Sequence, residues 1–167
     1  MIEYGFGKTQ FGPAFIAMEG NHLLRLSFVS PKSKSAELKK LSKLRPQAEF
    51  SAKPSPWAQA HLDKILPQRT GRVQRALPTM DLDGTHFQKK VWNALIEIPF
   101  GRTTTYSEIA KKIGHPRAVR AVGTAVGTNP IGYLIPCHRV LPKAGGIGQF
   151  GWGPELKKKM LQFENSI

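Results

Sequence analysis

Apolar and polar residues alternate over much of the first thirty positions, which is the pattern of strands with one buried face. The spacing predicts one strand near residues 12–18 and a second near residues 22–29. Glu19, Gly20 and Asn21 lie between them and suit a hairpin turn. The chain is therefore predicted to begin with a small sheet.

Two short amphipathic helices are predicted after this sheet. From Ser35, leucines recur every third residue among lysines until Pro46, where the helix ends. A second helix is predicted to begin with Ser55 as its N-terminal cap and Pro56 at its first position, and to end at Pro67. The residues expected on its buried face are Trp57, Leu62, Ile65 and Leu66.

Residues 69–83 are predicted to be extended and to lead into a segment with clearer helix signals. Thr85 and Gln88 have the spacing of a capping box, and the helix that follows is stopped by Ile98 and Pro99. Its apolar face is formed by Phe87, Val91, Trp92 and Leu95. A helix is therefore expected directly after the extended segment.

The pattern of a helix-turn-helix comes next. Thr105 and Glu108 have the spacing of a second capping box, which opens a short helix closed by Gly114. Pro116 is predicted to start the following helix, which is rich in small residues and ends near Gly127. Many helix pairs in enzymes share this spacing, so the pattern alone does not establish DNA binding.

A last helix is predicted over residues 154–163. Together these elements predict an α/β fold of the α+β type. A domain over residues 1–78 contains the small sheet and its helices, and a mainly helical domain over residues 79–167 contains the helix-turn-helix. The role of the first domain is left open.

The composition adds a strong positive charge. Of the 167 residues, 25 are Lys or Arg and 11 are Asp or Glu, which gives a formal net charge of +14. Such a charge favours nucleic acid as the partner, because basic side chains release counterions from phosphates. A solvated basic surface is the alternative. The basic tract from Lys32 to Arg75 either adds DNA affinity or only keeps its domain soluble.

The apolar content predicts a packed core without a membrane segment. The hydrophobic fraction of 40% excludes wholesale disorder. No apolar stretch approaches the roughly 20 residues of a membrane helix. The first residues also lack the basic and apolar regions of a secretory signal, so a cytoplasmic protein with no membrane partner is expected.

The single cysteine, Cys137, has no partner for an internal disulfide, and a reducing compartment is expected. Pro136 fixes the backbone beside the sulfur, His138 is a candidate base, and Arg139 adds positive potential that favours a thiolate. Glu164 on the final helix is a candidate to orient the base. A buried, inert cysteine is the alternative.

These residues and their neighbours resemble the O6-alkylguanine-DNA alkyltransferases, the family of methylated-DNA–protein-cysteine methyltransferases. The resemblance is nearly continuous over residues 83–164 and only general over residues 1–82. The matching positions are Asp83, Gly84, Thr85, Phe87, Gln88, Val91, Trp92, Ile98, Pro99, Gly101, Thr105, Tyr106, Ile109, Ala110, Arg120, Ala121, Val122, Gly123, Asn129, Pro130, the run from Ile135 to Val140, Lys157 and Glu164.

The resemblance implies a DNA repair protein that transfers an alkyl group, mainly methyl, from O6 of guanine in double-stranded DNA to Cys137. The transfer is irreversible, occurs once per molecule and follows flipping of the base. O4-alkylthymine is a second candidate substrate. The protein is expected to act as a DNA-associated monomer, in the nucleus if its source is a eukaryote. No cofactor is implied, and no metal is expected because the other histidines lack metal-ligand spacing.

The same resemblance implies a role for each residue around the sulfur. His138 deprotonates Cys137 through a water, and Glu164 holds His138 in the required tautomer. Tyr106 donates to the minor-groove side of the base and offsets the charge on the departing guanine. Asn129 ties the recognition helix to the cysteine motif.

Further positions are implied for the DNA and for the substrate pocket. Arg120 resembles the arginine that fills the gap left by the flipped base, in the minor groove. The other expected DNA-binding positions are Thr105, Ala118, Ala121 and Gly123. The expected pocket residues are Pro136, Val140, Phe150, Trp152 and Lys157. Trp152 is predicted to narrow the pocket, so that methyl adducts react well and benzyl adducts poorly.

Three other interpretations remain. An alkyltransferase-like protein that flags damage without removing it is disfavoured, because such relatives carry a non-nucleophilic residue, usually Trp, in place of Cys137. A helix-turn-helix regulator would use the same cysteine only for packing. A cysteine hydrolase ranks last, since the chain has no oxyanion motif.

Overall fold

The computed structural model describes residues 1–67 and 78–167. The chain divides into two compact units, Met1–Asp83 and Gly84–Ile167. The division therefore falls a few residues after the boundary expected at residue 78. Most of the stretch predicted to be extended, residues 69–83, lies outside the described residues, and so does the end of the basic tract at Arg75.

The first unit is built on one four-stranded sheet. Its strands are β1 (Ile2–Thr9), β2 (Gly12–Glu19), β3 (His22–Phe28) and β4 (Phe50–Ala52). Their spatial order is β3-β2-β1-β4. Strand β2 runs antiparallel to both β3 and β1, whereas β4 lies parallel to β1. The hairpin of β2 and β3 was predicted, whereas β1 and β4 were not.

Two helices pack with this sheet, α1 (Lys34–Leu44) and α2 (Ser55–Ile65). The start predicted for α2 is wrong, because Pro54 and not Ser55 is its N-terminal cap. The Ser55 hydroxyl instead donates to the carbonyl of Phe6 in β1, at 3.1 Å. On the predicted buried face of α2, Leu62 and Leu66 are buried, whereas Trp57 and Ile65 are only partly buried.

Glycine in β1 explains how closely α2 approaches the sheet. A Cβ atom on Gly7 would lie 2.6 Å from a methyl carbon of Leu62, closer than two carbon atoms can pack. Gly5 has the Cβ of Ala58 at 3.1 Å from the same hypothetical position. The two glycines therefore let α2 lie directly on the strand.

The second unit is mainly helical. Its helices are α3 (His86–Ile96), α4 (Tyr106–Lys112), α5 (Val119–Gly127) and α6 (Pro154–Phe163). Two short strands, β5 (Thr104–Thr105) and β6 (Val140–Leu141), pair in parallel. The capping box predicted at the start of α3 is present, since Thr85 Oγ1 accepts from Gln88 N and Gln88 Oε1 accepts from Thr85 N.

Helices α4 and α5 form the predicted helix-turn-helix. Thr105 caps α4 by accepting from Glu108 N, and Gly114, with a φ of 80°, follows its end. The predicted start of α5 at Pro116 is wrong, because the helix begins at Val119. The residues from the predicted start to the observed start form a turn, in which the amide of Ala118 donates to the carbonyl of His115 at 2.9 Å.

The core of the second unit fixes α5 against α3. Trp92 is buried on α3, and its indole Nε1 donates to the carbonyl of Ala125 on α5 at 2.8 Å. Val122 and Ala125 bury the inner face of α5. Within the described parts of the chain, none of the helices combines the length and the apolar character needed to cross a membrane.

Candidate active site

The lone cysteine opens a single 3-10 turn, Cys137–Arg139, which leads directly into β6. Strand β6 pairs with β5, and β5 leads into α4. The turn is thus joined through a backbone ladder to the first helix of the helix-turn-helix. Cys137 is 3% exposed, so its sulfur lies below the protein surface.

Asn129 connects the end of α5 to this turn. Its Nδ2 donates to the carbonyl of Ile135 at 2.7 Å and to the sulfur of Cys137 at 3.1 Å. Its Oδ1 accepts from the amide of Ile131 at 2.9 Å. The amide side chain is buried and uses both of its polar atoms, which fixes the sulfur relative to α5.

The next two residues of the turn both contact Glu164, which follows α6. His138 Nε2 lies 2.9 Å from Glu164 Oε1. Arg139 donates through Nε to Oε2 and through Nη2 to Oε1, each at 2.8 Å. Its Nη1 donates to the carbonyl of Ile98. One buried carboxylate thus holds both basic side chains.

The charges of this cluster follow from burial and hydrogen bonding. Burial alone would raise the pKa of Glu164, but hydrogen bonds from His138 and Arg139 outweigh it and lower the pKa to about 2. Burial lowers the pKa of His138 more than Glu164 raises it. His138 is therefore neutral with its proton on Nε2, facing an ionised carboxylate. Its Nδ1 has no hydrogen-bond partner among the described residues.

The sulfur itself is held in its neutral form. Burial raises the pKa of Cys137 to about 11, and the hydrogen bond from Asn129 and the charge of Lys157 offset only part of this effect. The sequence assigned the nearby positive charge to Arg139. In the structure Arg139 is bound to Glu164, and Lys157 supplies the charge that acts on the sulfur.

Lys157 on α6 is a fully buried amine. Its Nζ donates to the carbonyl of Val140 at 2.7 Å and to that of Gln149 at 3.4 Å. Burial lowers its pKa to about 8. Lys157 therefore links β6 to the loop that follows it.

A cavity of about 290 Å³ lies beside the sulfur. Its walls are formed by the start of α4, one side of α5, and the loop before α6. The lining residues are Tyr106, Gly123, Val126, Gly127, Asn129, Cys137, Gln149, Phe150, Gly151 and Trp152. Phe150 and Trp152, expected in the pocket, are in this wall and meet edge to face at 5.4 Å. The lining does not include Pro136, Val140 or Lys157, which are buried residues of the surrounding core.

Tyr106 faces this cavity from the first position of α4. Burial raises the pKa of its hydroxyl, and the neighbouring Cys137 raises it further. The hydroxyl therefore keeps its proton near neutral pH and can donate a hydrogen bond into the cavity.

The outer face of α5 presents the residues expected to meet DNA. Arg120 and Ala121 are exposed, and Ala118 and Gly123 are partly exposed. Thr105 is partly buried, and its hydroxyl caps α4. Among residues 1–67 and 78–167, no three His, Cys, Asp or Glu side chains cluster in a way that could hold a metal ion.

Sequence analysis assigned no role to Tyr133, which contacts His138 in the structure. Its ring stacks on that of His138, with the ring centres 5.1 Å apart and the planes 14° from parallel. Tyr133 also has a φ of 68°, although it is not glycine. Neither feature leaves a periodic signal in the sequence.

Comparison with known proteins identifies the family. A family model described as "6-O-methylguanine DNA methyltransferase, DNA binding domain" matches residues 86–166. The methylated-DNA–protein-cysteine methyltransferase of Mycobacterium tuberculosis is 34% identical over 166 residues, which cover 99% of this chain and 94% of the relative. The chain belongs to the methylated-DNA–protein-cysteine methyltransferase family. A relative from Methanosarcina acetivorans is 52% identical over 84 residues, 50% of this chain and 54% of the relative.

Solved structures of methyltransferases share this fold. The crystal structure of Mycobacterium tuberculosis OGT in complex with DNA has a TM-score of 0.76 and 32% identity, and the match covers 98% of this chain and 93% of that chain. The methyltransferase of Pyrococcus kodakaraensis has a TM-score of 0.70 at 24% identity, over 98% of this chain and 99% of that one. The predicted α+β fold class of this methyltransferase is thereby confirmed.

Proposed function

We propose that this protein repairs double-stranded DNA by moving an alkyl group, mainly methyl, from O6 of guanine to the sulfur of Cys137. The observation that carries the proposal is a cavity lined by the lone cysteine, Cys137. His138, in the same turn as Cys137, is hydrogen-bonded to Glu164 at the end of α6. Membership of the methyltransferase family supports the same reaction. O4-alkylthymine is the second candidate substrate.

The transfer begins with the thiol proton. His138 accepts it at Nδ1 through a water, and Glu164 stabilises the positive charge that forms on the imidazole. The resulting thiolate attacks the alkyl carbon. The bond from this carbon to O6 breaks as the bond to sulfur forms, and guanine leaves with the electron pair.

Tyr106 offsets the negative charge on the departing guanine by donating a hydrogen bond from its hydroxyl. The product on the protein is a thioether, which has no proton to lose and is not a nucleophile of comparable strength. Because an unactivated thioether does not release its alkyl group to another nucleophile, the thiol is not regenerated and each molecule reacts once. No cofactor takes part in the proposed reaction.

The substrate base reaches the sulfur only after leaving the stack. A base inside a duplex does not expose O6 to a buried atom, so the nucleotide must rotate out at a cost of a few kcal/mol. Arg120 fills the gap, while the small residues of α5 let the helix lie close to the minor groove. We place the monomeric protein on DNA in the cytoplasm, or in the nucleus if its source is a eukaryote.

Intact-mass measurement tests the proposal. The protein is incubated with a duplex containing one O6-methylguanine, with an unmodified duplex as control. We expect every molecule to gain one methylene in mass, and Cys137→Ala to gain none. Tight binding to the methylated duplex with unchanged mass would contradict transfer and support a damage-flagging protein instead.

A further inference from the structure

The backbone at Tyr133 is held in a conformation that a residue with a side chain rarely adopts. Its φ of 68° lies in the left-handed region, which is unfavourable for a residue other than glycine. The turn around it is closed by hydrogen bonds from the amide of Leu134 to Gly132 O and from the amide of Ile135 to Ile131 O. Such strain persists only where the surrounding structure fixes the residue.

In this conformation the side chain of Tyr133 stacks on His138, the candidate general base. The Tyr133 ring lies 14° from parallel to the His138 ring at a centre-to-centre distance of 5.1 Å, within the range of an offset stack. Tyr133 is 5% exposed and thus separates one face of the imidazole from solvent. Burial and the negative charge of Glu164 raise the pKa of the Tyr133 hydroxyl, so it stays protonated beside that carboxylate.

The hydrogen bond to Glu164 fixes only one atom of the imidazole, Nε2. The ring can still rotate about its Cβ–Cγ bond, which would move Nδ1 away from its target. Contact over a whole face removes this freedom. We propose that Tyr133 is a positioning residue that, together with Glu164, fixes the plane of the His138 ring so that Nδ1 is oriented to take the thiol proton. This inference rests on the proposed alkyl transfer.

Other charged and titratable groups also face His138. Glu164 and Lys157 approach from α6, and Arg139 and Cys137 belong to its own turn. Substituting Tyr133 keeps the charges of all four groups but removes its hydroxyl, which interacts with Glu164 and Arg139. A variant that keeps the ring without the hydroxyl is therefore needed to separate the two effects.

Two substitutions separate stacking from burial. Tyr133→Phe keeps the flat ring and removes the hydroxyl, whereas Tyr133→Leu keeps an apolar side chain and removes the flat face; both retain the backbone cost. We expect Tyr133→Phe to transfer methyl at a rate within about twofold of the original protein. We expect Tyr133→Leu to be about tenfold slower, a part of what a general base contributes.

The pH profile and the histidine spectrum give readouts that packing alone does not change. In Tyr133→Leu the acid limb of the pH–rate profile should move to higher pH, because water reaches His138 and its pKa rises towards the ordinary value. In ¹⁵N spectra of the free protein, assigned with His138→Gln, the Nε2–H tautomer should dominate in the original protein and in Tyr133→Phe. In Tyr133→Leu, in which Glu164 still fixes the tautomer but water reaches the ring, the imidazolium form should appear at higher pH than in the original protein.

Tyr4→Leu is the matched control. It removes an aromatic contact, with Phe15 at 5.9 Å, from the other unit. It should lower stability without changing the transfer rate or the His138 spectrum. Original rate and spectrum in Tyr133→Leu would overturn the proposal, and so would a loss in Tyr133→Phe as large as in Tyr133→Leu. If the original protein transfers no methyl group, the proposed function fails, and the spectra alone then decide the role of Tyr133.

Discussion

At the scale of single residues, the sulfur of Cys137 is shielded by its own surroundings. Burial keeps the thiol protonated near neutral pH, although Asn129 and Lys157 both favour the charged form. A neutral thiol is a poor nucleophile. Because the thiol stays protonated, Cys137 reacts slowly with alkylating reagents unless His138 removes its proton.

The first prediction concerns this shielding. Because the pKa of Cys137 is raised to about 11, the thiolate fraction should rise about tenfold for each pH unit below that value. Alkylation by iodoacetamide, followed by intact mass between about pH 7 and 10, should therefore accelerate without reaching a plateau. The protein unfolded in denaturant is the control and should level off near an ordinary thiol pKa, roughly 8.5. A plateau near that value in the folded protein would contradict the assignment.

A second prediction concerns acid stability. The pKa of Glu164 is about 2 when folded against an ordinary 4.5, so its interactions stabilise the fold fully above pH 4.5 and are lost as the pH falls towards 2. The linkage amounts to about 3 kcal/mol. Urea unfolding across this window should show the loss in the original protein and a flatter curve in Glu164→Gln. Glu155→Gln, which removes an exposed carboxylate at the start of α6, should retain the loss of stability seen in the original protein.

At the scale of elements, the third prediction concerns Arg120 on α5. Arg120 is exposed, so Arg120→Ala should leave the unfolding free energy within about 0.5 kcal/mol of the original. Repair of a methylated duplex should slow about tenfold, because nothing replaces the flipped base. Reaction with the free alkylated base should hardly change.

Lys159→Ala is the control for Arg120→Ala, because it removes one exposed positive charge from α6. It should affect the duplex reaction much less. Equal losses on the duplex and on the free base would show that Arg120 does not act in the DNA stack.

The fourth prediction concerns the loop before α6, which forms part of the cavity wall. Trp152 and Phe150 meet edge to face in the cavity wall, and both limit the room beside the sulfur. We expect O6-benzylguanine to react slowly, and Trp152→Gly to raise its rate about tenfold by removing a large side chain. Methyl transfer should stay within a few fold. Equal rates for methyl and benzyl groups in the original protein would contradict this role of Trp152.

Local signals in the sequence were enough to predict elements whose ends are fixed by nearby residues. The capping box of α3 and the hairpin of β2 and β3 depend on side chains and turns within a few positions. Strand β1 pairs with β4 across the intervening hairpin and helix, and β5 pairs with β6 across more than thirty residues, so no local pattern reveals either pair. The starts of α2 and α5 were wrong because proline fits several positions of a helix start.

The same distinction between local and long-range signals applies to the candidate site. Cys137 and His138 are neighbours in the chain, Glu164 was a candidate from the predicted final helix, and the resemblance to a family supplied Asn129 and Tyr106. The contact of Tyr133 with His138 depends on how a turn closes, and the effect of Lys157 on the sulfur depends on burial. Such contacts become visible only when the fold is known.

At the scale of the whole molecule, the net charge of +14 determines how binding responds to salt. If roughly five phosphates are neutralised, the affinity for an unmodified duplex should fall about 500-fold between 50 and 200 mM salt. Fluorescence anisotropy across this range measures the slope. A slope near zero would mean that the charge is only a solvated surface.

The same titration tests the lysines of the first unit. Lys39 and Lys43 are exposed on α1. Replacing both by alanine should reduce the salt slope by about two if they contact phosphates, and leave it unchanged if they only keep the unit soluble.

The three tryptophans lie in distinct environments: Trp57 contacts the tilted ring of His61 in the first unit, Trp92 is buried in the second, and Trp152 lines the cavity. A purine entering that cavity would meet an indole. Stacked nucleobases quench indole emission, so the intrinsic fluorescence of Trp152 can serve as an unlabelled optical reporter of base extrusion. Stopped-flow traces of the original protein and of Trp152→Phe would then time the arrival of the damaged nucleotide separately from the chemistry that follows.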